Sequence, residues 1–185
     1  MNKQNTLSII VASLLVVAAA VSRVAMYPDN FSPIIGMALF SGAILPNKKL
    51  AFAMPLFAMF LSDVLFEVFG VAPGFWGWGQ LAGYGILALI TVFAFTLKNT
   101  KPLNLAAYSI SASIIFYVLS NLSYFLIENP IYQTYPQNGA GLIDCYVAAL
   151  PFFRTALIAD LVYTFGLFGV YHIYRTVSAK YFATA

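Results

Sequence analysis

Charge is scarce in this sequence. Asp, Glu, Lys and Arg together make up 8% of its 185 residues, against about a quarter in a soluble globular domain, so the chain cannot coat a water-facing globule. Its single cysteine, Cys145, excludes an internal disulfide and any cysteine-built zinc or iron–sulfur site. Its single histidine, His172, excludes the paired-histidine metalloprotease motif. There is no basic cluster of the kind that binds nucleic acid, no Gly-x-Ser-x-Gly nucleophile elbow, and no internal repeat, low-complexity tract or linker. No metal or organic cofactor is expected.

What the chain has is hydrophobic length. With 62% apolar residues arranged in runs of about 20, it reads as an all-α polytopic membrane protein, a single domain over residues 1–185. Six spans are expected, at 7–26, 33–45, 50–69, 80–97, 103–127 and 151–174. The second is bounded by Pro33 and Pro46 and would rise only about 20 Å, short of the ~30 Å hydrocarbon layer. The loop 27–32 is expected to dip inward and fill the remaining depth, beside a cavity. Residues 141–150 are expected to form a short helix of their own before Pro151 opens the sixth span. The apolar run 7–21 with Ala18-Ala19-Ala20 also fits a cleaved signal peptide, but Arg23 and the loop after it make better sense with a retained helix. Intact mass tests this.

Orientation follows from the cations. Lys3, Lys48, Lys49, Lys98, Lys101, Arg175 and Lys180 fall on the N-terminus, the second and fourth connections and the C-terminus, which six spans place on one side. The positive-inside rule makes that side cytoplasmic, in a bacterial inner membrane. Arg23, Arg154 and all six acids lie in the outer connections or within the spans.

Counting depth along each span at about 1.5 Å per residue, Arg23, Asp63, Glu67, Asn121 and Arg154 converge on the outer third. Intramembrane ionisable residues usually line cavities or pathways, so this depth is the expected binding site, with Arg23 paired to Asp63 or Glu67. Gln80 with Tyr84, and Tyr117, Asn121, Tyr124 and Glu128, add polar stripes at helical spacing. Outer-loop aromatics, Phe31, Phe75, Trp76, Trp78, Tyr132 and Tyr135, read either as an interfacial belt or as a lid over a planar ligand. The absence of Trp and Tyr from the inner connections favours the lid. The substrate-binding set is therefore Arg23, Asn30, Phe31, Asp63, Glu67, Trp76, Trp78, Gln80, Asn121, Tyr124, Tyr135 and Arg154. Six acids against two cations outside the inner loops disfavour a strongly anionic ligand. Cys145 reads as a buried bystander thiol, and His172 as an interfacial helix-end histidine. Small residues on the first span, Ser8, Ala12, Ala18 and Ser22, serve close packing or dock another membrane subunit.

Six short spans with both ends inside, a site under outer loops and small residues on the first helix resemble the S (substrate-binding) components of energy-coupling-factor (ECF) vitamin transporters. Tyr27-Pro-Asp-Asn-Phe-Ser-Pro33, Ala38-Leu-Phe-Ser-Gly-Ala43, Asp63, Tyr135-Pro136, Gly141-Leu-Ile-Asp-Cys-Tyr146 and Pro151-Phe-Phe153 resemble an uncharacterised family of small bacterial membrane proteins associated with that group. The resemblance implies capture of a vitamin or similar small molecule from outside, with uptake powered by a separate transmembrane coupling subunit and ATPases. The chain has no phosphate-binding Gly-Lys-Ser/Thr loop, so ATP use would belong to those partners. In solitary S-like cobalamin proteins a cysteine of the third-loop region engages cobalt; here residues 70–79 contain none. Two other readings stand beside this one: an intramembrane enzyme using Asp63 and Glu67, and a structural subunit whose charges only pair internally.

Overall fold

Long apolar runs must satisfy their backbone polar groups locally, and here they do so by forming helices. The computed structural model describes residues 3–25, 30–75 and 77–184, and every regular element among them is helical. In order these are α1 (Lys3–Ala25), α2 (Ile34–Ile44), α3 (Lys48–Phe69), α4 (Trp78–Ala94), α5 (Pro102–Ser123), α6 (Asn129–Tyr132) and α7 (Gly139–Thr184). A π-helical turn, Tyr124–Glu128, carries α5 into α6. Four stretches are long and apolar enough to cross a membrane: Thr6–Val24, Lys48–Phe69, Pro102–Tyr132 and Gly139–Lys180. The helices α2 and α4 are shorter and also apolar. The chain thus has the expected six principal helices, the second of them short.

The bundle is built around α2. It packs against α1, α3, α4, α5 and α7, and residues from Ile35 to Gly42 are all buried. A helix that is apolar all round belongs in a core, and Phe40, Met37 and Leu39 are among the largest fully buried side chains. Two glycines permit this position. A Cβ on Gly36 would stand 2.9 Å from Tyr163 Cβ, and one on Gly42 would stand 2.6 Å from Ala94 Cβ, so α7 and α4 approach α2 at backbone distance. The outer surface is apolar too, with Leu14, Phe57, Leu89, Ile114, Ile158 and Val162 exposed.

Local signals set the helix ends. Asn47 Oδ1 accepts from the backbone N–H groups of Lys49 and Leu50 and so caps α3. Gly70, at φ 62°, ends α3 in the left-handed conformation that glycine accepts freely. Pro102 opens α5, where its missing N–H costs nothing. Inside α3, Pro55 cannot donate to the carbonyl of Ala51. That carbonyl instead accepts from the Ser41 hydroxyl of α2 at 2.7 Å.

The structure corrects one expectation. Residues 141–150 are not a separate helix and Pro151 does not open one: α7 is continuous from Gly139, with Pro151 in its interior. The Asn138 side chain accepts from Gly141 N–H at 3.0 Å and starts the helix early, after which Pro151 removes only one ladder donor. The expected fifth span, 103–127, corresponds to α5 and runs on into the π turn. On α1, Ser8 and Ala12 are buried and Ser22 bonds Tyr163, in line with the packing reading of these small residues, while Ala18 is exposed.

Lys48, Lys101, His172 and Arg175 gather at one end of the bundle. Lys48 Nζ donates to Gly42 O and lies 4.3 Å from the centre of the Phe95 ring. Lys101 and His172 line one recess there, and Arg175 a second.

Candidate functional site

At the opposite end the polar residues are organised by Asp63, one turn and a half from the end of α3 and 2% exposed. Its Oδ1 accepts from Arg23, at the end of α1, in the ion pair expected from the sequence. Its Oδ2 accepts from Gln80 Nε2 at 2.8 Å and from the Tyr84 hydroxyl at 2.6 Å, one turn apart on α4. The Arg23 guanidinium also donates to Ser62 Oγ at 2.7 Å and lies 4.7 Å from the centre of the Phe66 ring. Three helices are thus tied to one carboxylate whose charge is compensated, the condition for burying it.

Glu67 does different work. Its carboxylate accepts from Gly74 N–H at 3.0 Å, and Gln80 Nε2 donates to Gly74 O at 2.8 Å. Together they fasten the loop between α3 and α4 over the end of α3. A Cβ on Gly74 would stand 2.0 Å from the Asp63 carbonyl oxygen, so only glycine fits that approach.

Beside this cluster lies a chamber of about 350 Å³. Arg23 and the start of α2, Asn30, Phe31, Ser32 and Ile34, form one wall. Gly79, Ala82 and Gly83 give α4 a flat face on the opposite side, and Phe116, Ser120 and Ser123 of α5, with Tyr124 and Glu128 of the π turn, close it. The hydroxyls of Ser32 and Ser123 are buried and have no hydrogen-bond partner among the described residues. Asn30 holds a left-handed φ of 61°, a conformation asparagine tolerates, and lines this chamber together with a second one.

The second chamber, about 210 Å³, lies between α5 and α7. Asn30, Phe116 and Ser120 line both, so the two chambers adjoin. Its own lining includes Ser113, Tyr117, Asn121, Phe153 and Asp160. Asp160 is 2% exposed and accepts from Ser113 Oγ at 2.6 Å.

The sequence-selected residues therefore separate. Arg23, Asn30, Phe31 and Tyr124 line the first chamber; Asp63 and Gln80 stand behind Arg23 and hold it; Glu67 holds the loop. Asn121 belongs to the second chamber, where its amide donates to Tyr117 O at 2.8 Å. Arg154 is exposed on the outside of α7 and lines neither chamber. The convergence of five groups at one depth thus reduces to Arg23, Asp63 and Glu67. Depth along a helix leaves its azimuth open, and Asn121 and Arg154 differ from the others in azimuth.

The aromatic lid is corrected as well. Trp78, Tyr132 and Phe75 are 71%, 69% and 51% exposed and are not in the chamber's lining, as in an interfacial belt. Trp76 lies outside the described residues, as do Tyr27, Pro28 and Asp29 of the first loop. Tyr135 is held by Asn129, fully buried, which accepts from Tyr135 N–H at 2.8 Å and donates to Tyr135 O at 3.0 Å. Its ring meets Tyr124 edge-on at 6.4 Å. Burial pushes the Tyr135 phenol above its usual range, and Cys145, Tyr124 and Asp144 add to the rise, so it stays protonated at neutral pH. Cys145 is buried against the Asn121 carbonyl, and the described residues hold no cluster of three metal-ligating side chains.

Sequence reasoning passed over Ser32, Ser123 and Gly83. Ser123 falls one turn beyond Ser120 on α5 and lines the same chamber.

The geometry defines a class: an all-α bundle with an apolar exterior and, at the end remote from its lysines, a chamber walled by an ion-paired arginine. The chain belongs to the family of unknown function DUF6580, whose model matches residues 3–182. No curated protein and no solved structure matches it.

Proposed function

We propose that this is a multi-pass membrane protein that captures a small molecule in the first chamber for uptake, in the manner of an S component. The observation that carries the reading is the mostly apolar chamber of about 350 Å³ itself, with the ion-paired Arg23, Asn30 and Glu128 as the polar groups in its lining. Apolar walls with a few placed polar groups are the usual make-up of a small-molecule site. The flat face of Gly79, Ala82 and Gly83 opposite Phe31 suits a planar, vitamin-like body.

The apolar exterior and four membrane-length helices support the membrane setting. The gathering of lysines at one end supports a cytoplasmic basic end in a bacterial inner membrane, which opens the chamber outward. Energy for uptake would come from a coupling subunit and ATPases, as the S-component resemblance implies. The engagement of Asp63 by Arg23, Gln80 and Tyr84 and of Glu67 by Gly74 favours binding over carboxylate catalysis.

Gly83 offers the decisive test. It lines the chamber, and a Cβ there would meet nothing within 4 Å. Gly83→Leu should fill the chamber while gaining up to about 1 kcal/mol of helix propensity. Mass spectrometry of small molecules co-purified with the wild-type chain should identify a ligand that Gly83→Leu lacks. Asn30→Gly, which accepts the same left-handed φ, should weaken its binding about three- to tenfold. Retention of the same ligand by Gly83→Leu would refute the chamber assignment.

A further inference from the structure

Among the described residues two acids are buried to the same extent, Asp63 and Asp160, each 2% exposed. Asp63 has an arginine, an amide and a phenol around it. For Asp160 the hydrogen bond found is the one from Ser113 Oγ at 2.6 Å. Its chamber contains no Lys, Arg or His among the described residues that line it, and Arg154, one and a half turns away on α7, is exposed on the outside. A buried carboxylate is tolerated when it is neutralised, and the side chains around Asp160 leave that charge to something else.

The rest of the lining indicates what that is. Phe116, Tyr117, Phe152 and Phe153 stand around the chamber, and the Tyr117 and Phe153 rings pack at 4.6 Å. Ring faces attract cations through their quadrupole, and aromatic walls with a carboxylate floor recognise alkylated ammonium groups. An inorganic cation would want several oxygen ligands at short range, which an aromatic wall does not supply. A chamber of about 210 Å³ has room for such a head group.

We infer that the second chamber is the seat of an organic cation of the ammonium type, neutralised by Asp160 and enclosed by Phe116, Tyr117 and Phe153. Because Asn30, Phe116 and Ser120 are shared with the first chamber, the cationic end of the captured molecule sits here and its planar body next door. The inference rests on the capture reading to that extent and names the class of molecule captured.

Choline and its uncharged carbon isostere, 3,3-dimethylbutan-1-ol, make the test. With the purified full-length chain in detergent, calorimetric titration should give choline at least about tenfold tighter binding than the isostere. Asp160→Asn, which keeps the size and the bond from Ser113, should abolish that preference. Phe153→Leu, with Asp160 intact, should reduce it, so that the result does not depend on one variant's folding. Equal binding of the two probes, binding of neither, or a preference that survives Asp160→Asn overturns the inference. A neutral co-purified ligand that Gly83→Leu loses would leave capture standing and remove the cation seat. Choline preference without any ligand dependent on Gly83 would do the reverse.

Discussion

Asp63 shows how one carboxylate can hold three helices. It is the shared acceptor for α1 through Arg23 and for α4 through Gln80 and Tyr84, so its charge is structural even though Arg23 faces the chamber. Removing one partner of a buried pair typically costs about 3–5 kcal/mol, because the other charge is left uncompensated. Asp63→Asn should therefore lower stability by an amount of that order. Asp63→Asn combined with Arg23→Met should be less destabilised than Asp63→Asn alone, since no bare charge remains. Denaturation midpoints of the two single variants and the double variant form a cycle that reads the coupling directly. Additive losses would mean that the pair contributes nothing. This contact was legible in the sequence for a physical reason: an arginine on an apolar helix needs a counter-charge at its own depth, and Asp63 and Glu67 were the acids at that depth. Choosing between the two required the loop, because Gly74 occupies Glu67.

At the scale of elements, α2 and α3 are matched by a vacancy in one helix and a hydroxyl on the other. Pro55 leaves the Ala51 carbonyl without its ladder donor, and Ser41 supplies one across the interface. Ser41→Ala should cost about 1–3 kcal/mol, the range for orphaning a buried polar group. Adding Pro55→Ala restores a backbone N–H at the right place and should recover part of that loss, visible as a higher thermal midpoint for the double variant than for Ser41→Ala. A double variant no more stable than Ser41→Ala would show that the carbonyl was not what Ser41 serves. Helix identities and the shortness of α2 were legible because apolar run length and bounding prolines are local signals. The π turn at Tyr124–Glu128 was not, since no residue in it is a breaker. A π turn takes in an extra residue and rotates everything after it. Tyr117, Asn121, Tyr124 and Glu128 do not share one chamber: the first two line the second chamber and the last two the first.

For the whole molecule, the lengths of the helices and the distribution of charge make a joint statement about the membrane. At about 1.5 Å per residue, α1 and α3 rise about 34 and 33 Å, close to the ~30 Å hydrocarbon layer. By the same measure α7 rises about 69 Å, so a large part of it stands outside that layer. Its start carries the loop pinned by Asn129, and its other end carries Arg175 beside the basic recesses. If the basic end is cytoplasmic, residues 98–101 face the cytosol and residues 133–138 face outward. The lone cysteine makes this measurable, because Cys145 is 3% exposed and Cys145→Ser clears the background. Thr100→Cys and Gln137→Cys would then each place one thiol at an exposed loop position. A membrane-impermeant maleimide added to intact spheroplasts should label Gln137→Cys and should reach Thr100→Cys only after permeabilisation. The opposite pattern would turn the chamber toward the cytosol and remove capture from outside, while leaving the bundle and both chambers as they are. Labelling of both positions in intact spheroplasts would mean that the lysine-rich end does not face inward uniformly, and that the charge segregation reflects something other than insertion.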